Sequence, residues 1–174
     1  MRSDLAGALL AAALLAPPPP AAAEVVERIL AVVQERPVLL SEVLVVEAVR
    51  GLSRTEALEA LVDERLMFEQ AARLPQTGVT DEEVARAVAG LRAARPDLEG
   101  RVADAALRRL VRRQAAILKF VELRFRPQVR VEETLPPGER EEAERRALGE
   151  RIEAWVKDLR AQAEVRYRPS GGGP

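Results

Sequence analysis

The chain predicts a mainly α-helical fold completed by a small antiparallel sheet, built from an N-terminal hairpin and a C-terminal strand. Three observations carry that expectation. Apolar residues recur at three- and four-residue spacing from Thr55 to Leu74, from Thr80 to Leu91, from Val102 to Phe125 and from Leu148 to Leu159, which is the period of a helix with one buried face. Hydrophobic residues make up 48% of the chain but aromatics only 3%, so the core is aliphatic, and the richness in Ala, Leu, Glu and Arg favours helix. Short β-branched stretches lie at opposite ends, Val25–Val33 and Val165–Tyr167. An isolated hairpin is marginal in water, so the terminal strands are expected to pair in one sheet.

Residues 1–23 read as a secretory signal peptide: Arg2, an apolar run from Leu5 to Ala16, prolines, then Ala21-Ala22-Ala23 as a cleavage site. An apolar run of about 12 residues falls short of the roughly 20 that span a bilayer, so no membrane anchor is expected after cleavage. The absence of Cys rules out a lipid-modified Cys anchor and disulfides. From about residue 24, Val25–Val33 is expected as a strand, Gln34-Glu35-Arg36-Pro37 as a turn, and Val38-Leu39-Leu40 as the return strand. Ser41 is the expected cap of a first helix that Gly51 ends near Arg50.

The least ambiguous helix runs from Thr55 to Leu74. Ser53 with Glu56 forms a capping box, and Pro75 supplies a stop. Leu58, Leu61, Val62, Phe68 and Ala72 share a side, with Leu66 widening it. Arg65 and Glu69 fall inside the apolar arc one turn apart, while Met67 and Leu74 point away. Two readings follow: Arg65 and Glu69 pair in a seam between packed layers, or Met67 lies on an apolar groove left open to a partner.

A second capping box, Thr80 with Glu83, opens a helix with the stripe Val84, Val88 and Leu91, closed by Pro96. The helix expected over Val102–Phe125 buries Leu107, Leu110, Val111, Leu118, Val121 and Phe125, with Phe120 and Leu123 off that stripe. Between Arg101 and Arg130 nine basic residues face two acidic ones, a charge that can attract nucleic acid or acidic partners. No aromatics interleave for base stacking, so the stretch reads as a solvated face, with the acidic segment Glu132–Glu153 as a local complement, and no nucleic-acid partner is expected. Val129 and Val131 alternate with charges as a short strand, a turn follows at Pro136-Pro137-Gly138, and a last helix spans Glu139–Ala163 with the stripe Leu148, Ile152, Trp155, Val156 and Leu159. Val165 and Tyr167 close the pattern, and residues 169–174 are expected as a disordered tail.

The chain has no His and no Cys, which excludes thiol nucleophiles, Cys- or His-ligated metal sites, Ser-His-Asp triads and histidine acid–base chemistry. Carboxylate or lysine chemistry stays open in principle, but no phosphate loop or dinucleotide fingerprint occurs and no catalytic residue, metal or cofactor is singled out.

Several segments, taken in order, resemble one family. VVERILAVVQERPVLLSEV, ALEALVDERLMFEQAAR, GVTDEEV and LRRLVRRQAAILKFV are similar in order and spacing to the N-terminal domain of SurA-type periplasmic chaperones. IEAWVKDLRAQAEVRY looks like the segment that in those proteins returns to complete that domain. The resemblance implies a core over residues 24–131, a charged segment at 132–149 standing where the family carries parvulin-type prolyl isomerase modules, and a completing helix and strand at 150–168. The chain departs from the family in Gln34-Glu35, where an Asn-led turn is usual, and in lacking the isomerase modules and their histidines. What the resemblance implies is a periplasmic holdase for unfolded exported polypeptides, outer-membrane proteins among them, without isomerase activity. The client groove is expected near Met67, Leu74, Phe120 and Leu123. Leu58, Leu61, Phe68, Leu118, Ile152, Trp155 and Leu159 are expected as core and docking residues. A structural adaptor for one folded partner and a prolyl isomerase are the competing functions.

Overall fold

The computed structural model describes residues 27–132, 134 and 136–168. The signal-peptide reading of 1–23, the start of the first strand at 25 and 26, and the expected tail at 169–174 lie outside the described residues. The fold is mainly helical with a small three-stranded antiparallel sheet, as the sequence predicts.

Strand β1 (Ile29–Val33) and strand β2 (Arg36–Leu39) form the hairpin. The turn between them is only Gln34-Glu35, tighter than expected. Both residues have positive φ, 46° and 69°, the conformation of a two-residue turn whose twist matches the strands. Pro37 is tolerated inside β2 because that strand is an edge of the sheet. Helix α1 (Leu40–Arg50) follows at once. Its cap position is Leu39 rather than Ser41, and Glu42 Oε2 accepts from the Leu39 N–H at 3.3 Å. Ser41 instead donates its hydroxyl to Glu27 Oε2 at 2.8 Å, tying the strand entry to the helix. Gly51, at φ 68°, ends α1 as expected.

Helix α2 (Arg54–Ala71) opens on the Ser53–Glu56 capping box. It stops three residues before the expected end. Its last carbonyls accept from the N–H groups of Ala72, Arg73 and Leu74, the hydroxyl of the buried Thr77 lies within donating distance of Ala71 O (2.6 Å) and Leu74 O (2.7 Å), and Pro75 begins a separate 3-10 turn. Helix α3 (Asp81–Ala94) starts at the Thr80–Glu83 box. Just past it, Arg95 donates to Val49 O at 2.9 Å and Ala48 O at 3.0 Å, closing the end of α1 with a cation as the helix dipole favours. Helix α4 (Asp104–Arg124) and helix α5 (Pro137–Gln162) are the longest. The segment expected at 132–149 is mostly the solvated first half of α5, and residues 129–132 form no strand.

Strand β3 (Val165–Tyr167) returns to β1, pairing Val33 with Val165 and Ala31 with Tyr167, so β1 is central in the order β2-β1-β3. The sheet packs with α1 and α2 around Leu30, Val38, Val43, Val46, Leu61 and Leu66, and Leu159 and Val165 lie against that cluster. A second cluster joins α3 and α4 through Val84, Val88, Leu98, Leu107 and Val111. At the far end, Ala71, Ala116 and Phe120 pack with Phe68, Phe125 and Trp155.

Helix α5 is fastened without a fully buried residue. Trp155 stacks on Phe120 with ring centroids 5.0 Å apart and stands 5.1 Å from Phe125. Arg160 pairs with Asp63 and, at 2.8 Å, with Glu59, which also accepts from the Tyr167 hydroxyl at 3.0 Å.

Two residues expected on buried stripes are corrected: Ala72 is exposed and Leu118 is 64% exposed, while Phe120, placed off the stripe by periodicity, is 8% exposed. The cover that Val84 and Val88 give Leu107 and Val111 does not reach Leu118, and the far end of α4 turns Phe120 to Ala71 and Trp155 instead.

Two changes test this packing. Trp155→Ala is expected to lower stability by about 2–3 kcal/mol in a urea melt followed by circular dichroism, below a full core truncation because the indole is only half-buried; a loss below about 0.5 kcal/mol, typical of a surface change, contradicts docking of α5. Glu35→Gly is expected to stabilise by about 0.5–1 kcal/mol by relieving left-handed strain, and a destabilised variant contradicts that reading.

Candidate functional site

A carboxylate lies inside the body. Glu64 on α2 is 2% exposed. Its Oε1 accepts from Arg113 Nε at 2.7 Å, and its Oε2 accepts from Arg50 and Gln114, each at 3.3 Å. Beside it, Glu42 on α1 accepts from Arg65 at 2.6 Å, and Arg113 stands 3.8 Å from the same carboxylate. The expected Arg65–Glu69 pair does not form. Arg65 reaches across to α1, and Glu69 pairs with Arg73 at 3.3 Å.

Glu64 was missed in the sequence reading, although a signal existed. It falls between Leu61 and Phe68 at helical spacing, in the middle of the apolar stripe. A carboxylate there has to be paired, since an unpartnered buried charge is prohibitive. The group is saturated by structural partners.

Arg112 and Lys119 of α4 are likewise occupied rather than merely solvated. Arg112 donates to Val79 O at 3.1 Å and pairs with Asp81, and Lys119 donates to Gly78 O at 2.7 Å and to Glu83 at 3.0 Å. These contacts pin the Gly78–Val79 loop to α4. The Lys119 ammonium, with the Thr80 N–H, lowers the Glu83 pKa to about 2.

The four residues expected to form a client groove separate. Phe120 is buried beneath Trp155. Met67 is half-buried on α2. Leu74 is 37% exposed and lines a shallow groove with Phe68, Ala72, Pro75, Val79 and Ala116, with Arg112 at its edge. Leu123, 52% exposed, lies on the outer side of α4. Of the residues expected to dock or fill the core, Leu61 is fully buried, and Leu58, Phe68, Ile152, Trp155 and Leu159 are half-buried.

A second cleft, between α1 and the start of α4, was not legible in the sequence. Its walls include Leu44, 43% exposed, with Val45, Val102, Ala106 and Leu110, and its rim carries Arg101 and Arg109. Leu44 lies between the buried Val43 and Val46, and nothing in a helical pattern says that such a residue borders a cleft.

Among the described residues no group of acidic side chains could hold a metal ion, and no helix is long and apolar enough to cross a membrane. No known protein-family model matches the chain, and comparison with the curated proteins finds no match.

The Glu83 environment is testable by pH. Its folded pKa lies below the ordinary 4.5, so the stability it contributes is present above about pH 4.5 and is lost as pH falls towards about 2. A carboxyl NMR titration is expected to place the Glu83 midpoint near 2, and Lys119→Met to move it upward; an unchanged midpoint in the variant contradicts the Lys119 assignment.

Proposed function

We propose that this chain is a holdase-type chaperone that binds unfolded exported polypeptides in the periplasm and has no prolyl isomerase activity. The observation that carries the reading is the exposure of Leu44, Leu74, Leu118 and Leu123, two of them beside shallow apolar clefts edged by arginine. Sequence-tolerant capture of extended chains requires adaptable apolar surface with charge at its margin, and no reacting groups. The ordered resemblance of the segments to the N-terminal domain of SurA-type chaperones supports the same reading, and the signal-peptide pattern of residues 1–23 supports the compartment. Outer-membrane proteins are the first clients to test, since they cross that compartment unfolded.

An adaptor for one folded envelope partner differs in client range. The purified chain is expected to suppress light-scattering aggregation of several unrelated unfolded proteins, including an outer-membrane protein diluted from urea. Suppression of none contradicts the holdase and favours the adaptor. In parallel, a proline-containing peptide is expected to isomerise at its uncatalysed rate, tens to hundreds of seconds; acceleration refutes the non-enzymatic reading.

A further inference from the structure

The cleft between α1 and α4 has a charge that its own fold does not use. Its apolar lining is aliphatic: Leu44, Val45, Val102, Ala106 and Leu110. Of the cations around it, Arg113 is committed to Glu64 and Glu42. Arg101 has only an exposed pairing with Asp97 at 3.4 Å, of the kind that contributes little. Arg109 has no ion-pair partner among the described residues. Among the described residues that line it, the only acidic one, Glu42, is already bonded to Arg65. The volume, about 370 Å³, falls in the ~300–1,000 Å³ range of pockets that take ligands.

An apolar lining with unspent cations on its rim selects for a ligand of matching pattern. We infer that this cleft binds extended polypeptide segments in which carboxylates flank aliphatic side chains, with the aliphatic groups against Leu44, Val45 and Ala106 and the carboxylates at Arg109 and Arg101. The inference rests on the holdase reading and narrows it: the clients held most tightly at this cleft are acidic-aliphatic ones. Charge complementarity decides the occupant, because a basic segment is repelled by Arg109 and a neutral one leaves it unpaired.

The test compares two fluorescein-labelled peptides with the same valine and leucine residues, one flanked by Glu and one by Lys, binding to the intact chain in fluorescence anisotropy at low salt. The Glu peptide is expected to bind about tenfold more tightly or better, with the difference shrinking as salt rises. Arg109→Glu is expected to abolish or reverse the preference. Leu44→Glu, on the other wall and also exposed, is expected to weaken the Glu peptide by a similar factor. Equal affinities for the two peptides, or a preference that survives both variants, overturns the inference. Self-association of the chain that Arg109→Glu abolishes, with neither peptide bound, overturns it in favour of a second copy as occupant. Aggregation assays on the same samples separate the two levels: suppression that persists in the absence of any peptide preference refutes the cleft and leaves the holdase standing, whereas peptide selectivity without suppression refutes the holdase and leaves the cleft.

Discussion

The pairing of β1 with β3 is the constraint from which the rest of the architecture follows. A two-stranded hairpin buries too little to persist alone, and here the hairpin becomes the core of a sheet only because a strand from the other end of the chain bonds to its free edge. Val33 pairs with Val165 and Ala31 with Tyr167, and the Gln34 N–H donates to Glu164 O at 3.0 Å. Residue 165 can reach residue 33 only if α5 runs back along the body. That path brings Arg160 to Glu59 and Asp63 on α2 and Trp155 to Phe120 on α4. Helix α5 therefore needs no buried stripe of its own. Its position is set by its end.

The second constraint is the buried charge of Glu64. Its partners come from α1 and α4, so the three helices cannot slide or rotate independently without stranding a carboxylate in a medium that tolerates none. The arginines of α4 are shaped by the same demand. Arg113, Arg112 and Lys119 are each drawn to a specific acceptor on α2, α3 or the loop before α3. Among the described residues, Arg109 beside an aliphatic cleft has no ion-pair partner, and it and the leucines on the outer face of α4 are surface that the fold does not consume. The proposed function and the inferred ligand preference both grow from that remainder.

Much of this organisation was legible in the sequence because the decisive chemistry is local. Ser53 with Glu56 and Thr80 with Glu83 place two helix starts correctly, since a capping box needs only four consecutive residues. The closing strand was legible from alternation at Val165–Tyr167 together with the weakness of a lone hairpin. What failed was non-local. Ser41 has the chemistry of a cap, but Glu27 competes for its hydroxyl. Arg65 and Glu69 are one turn apart on one helix, yet Arg65 finds a better acceptor on α1. Periodicity grouped Leu118 with Leu107 and Val111, although it cannot register how far a covering helix extends. Phe120 leaves the expected groove for the same reason: it is off the stripe because a second element, α5, covers it from another direction.

The two ends form one cooperative body, and the returning tail defines both the cover over Phe120 and the surfaces left open. Native-state hydrogen exchange measures this directly. The amides of Gln34 and Arg168, which donate to Glu164 O and Leu30 O, are expected to be protected to the same opening free energy as the interior amides of α2 around Leu61. Exchange of Gln34 and Arg168 at unprotected rates while α2 remains protected would contradict it, leaving the tail an appendage and the body unfinished.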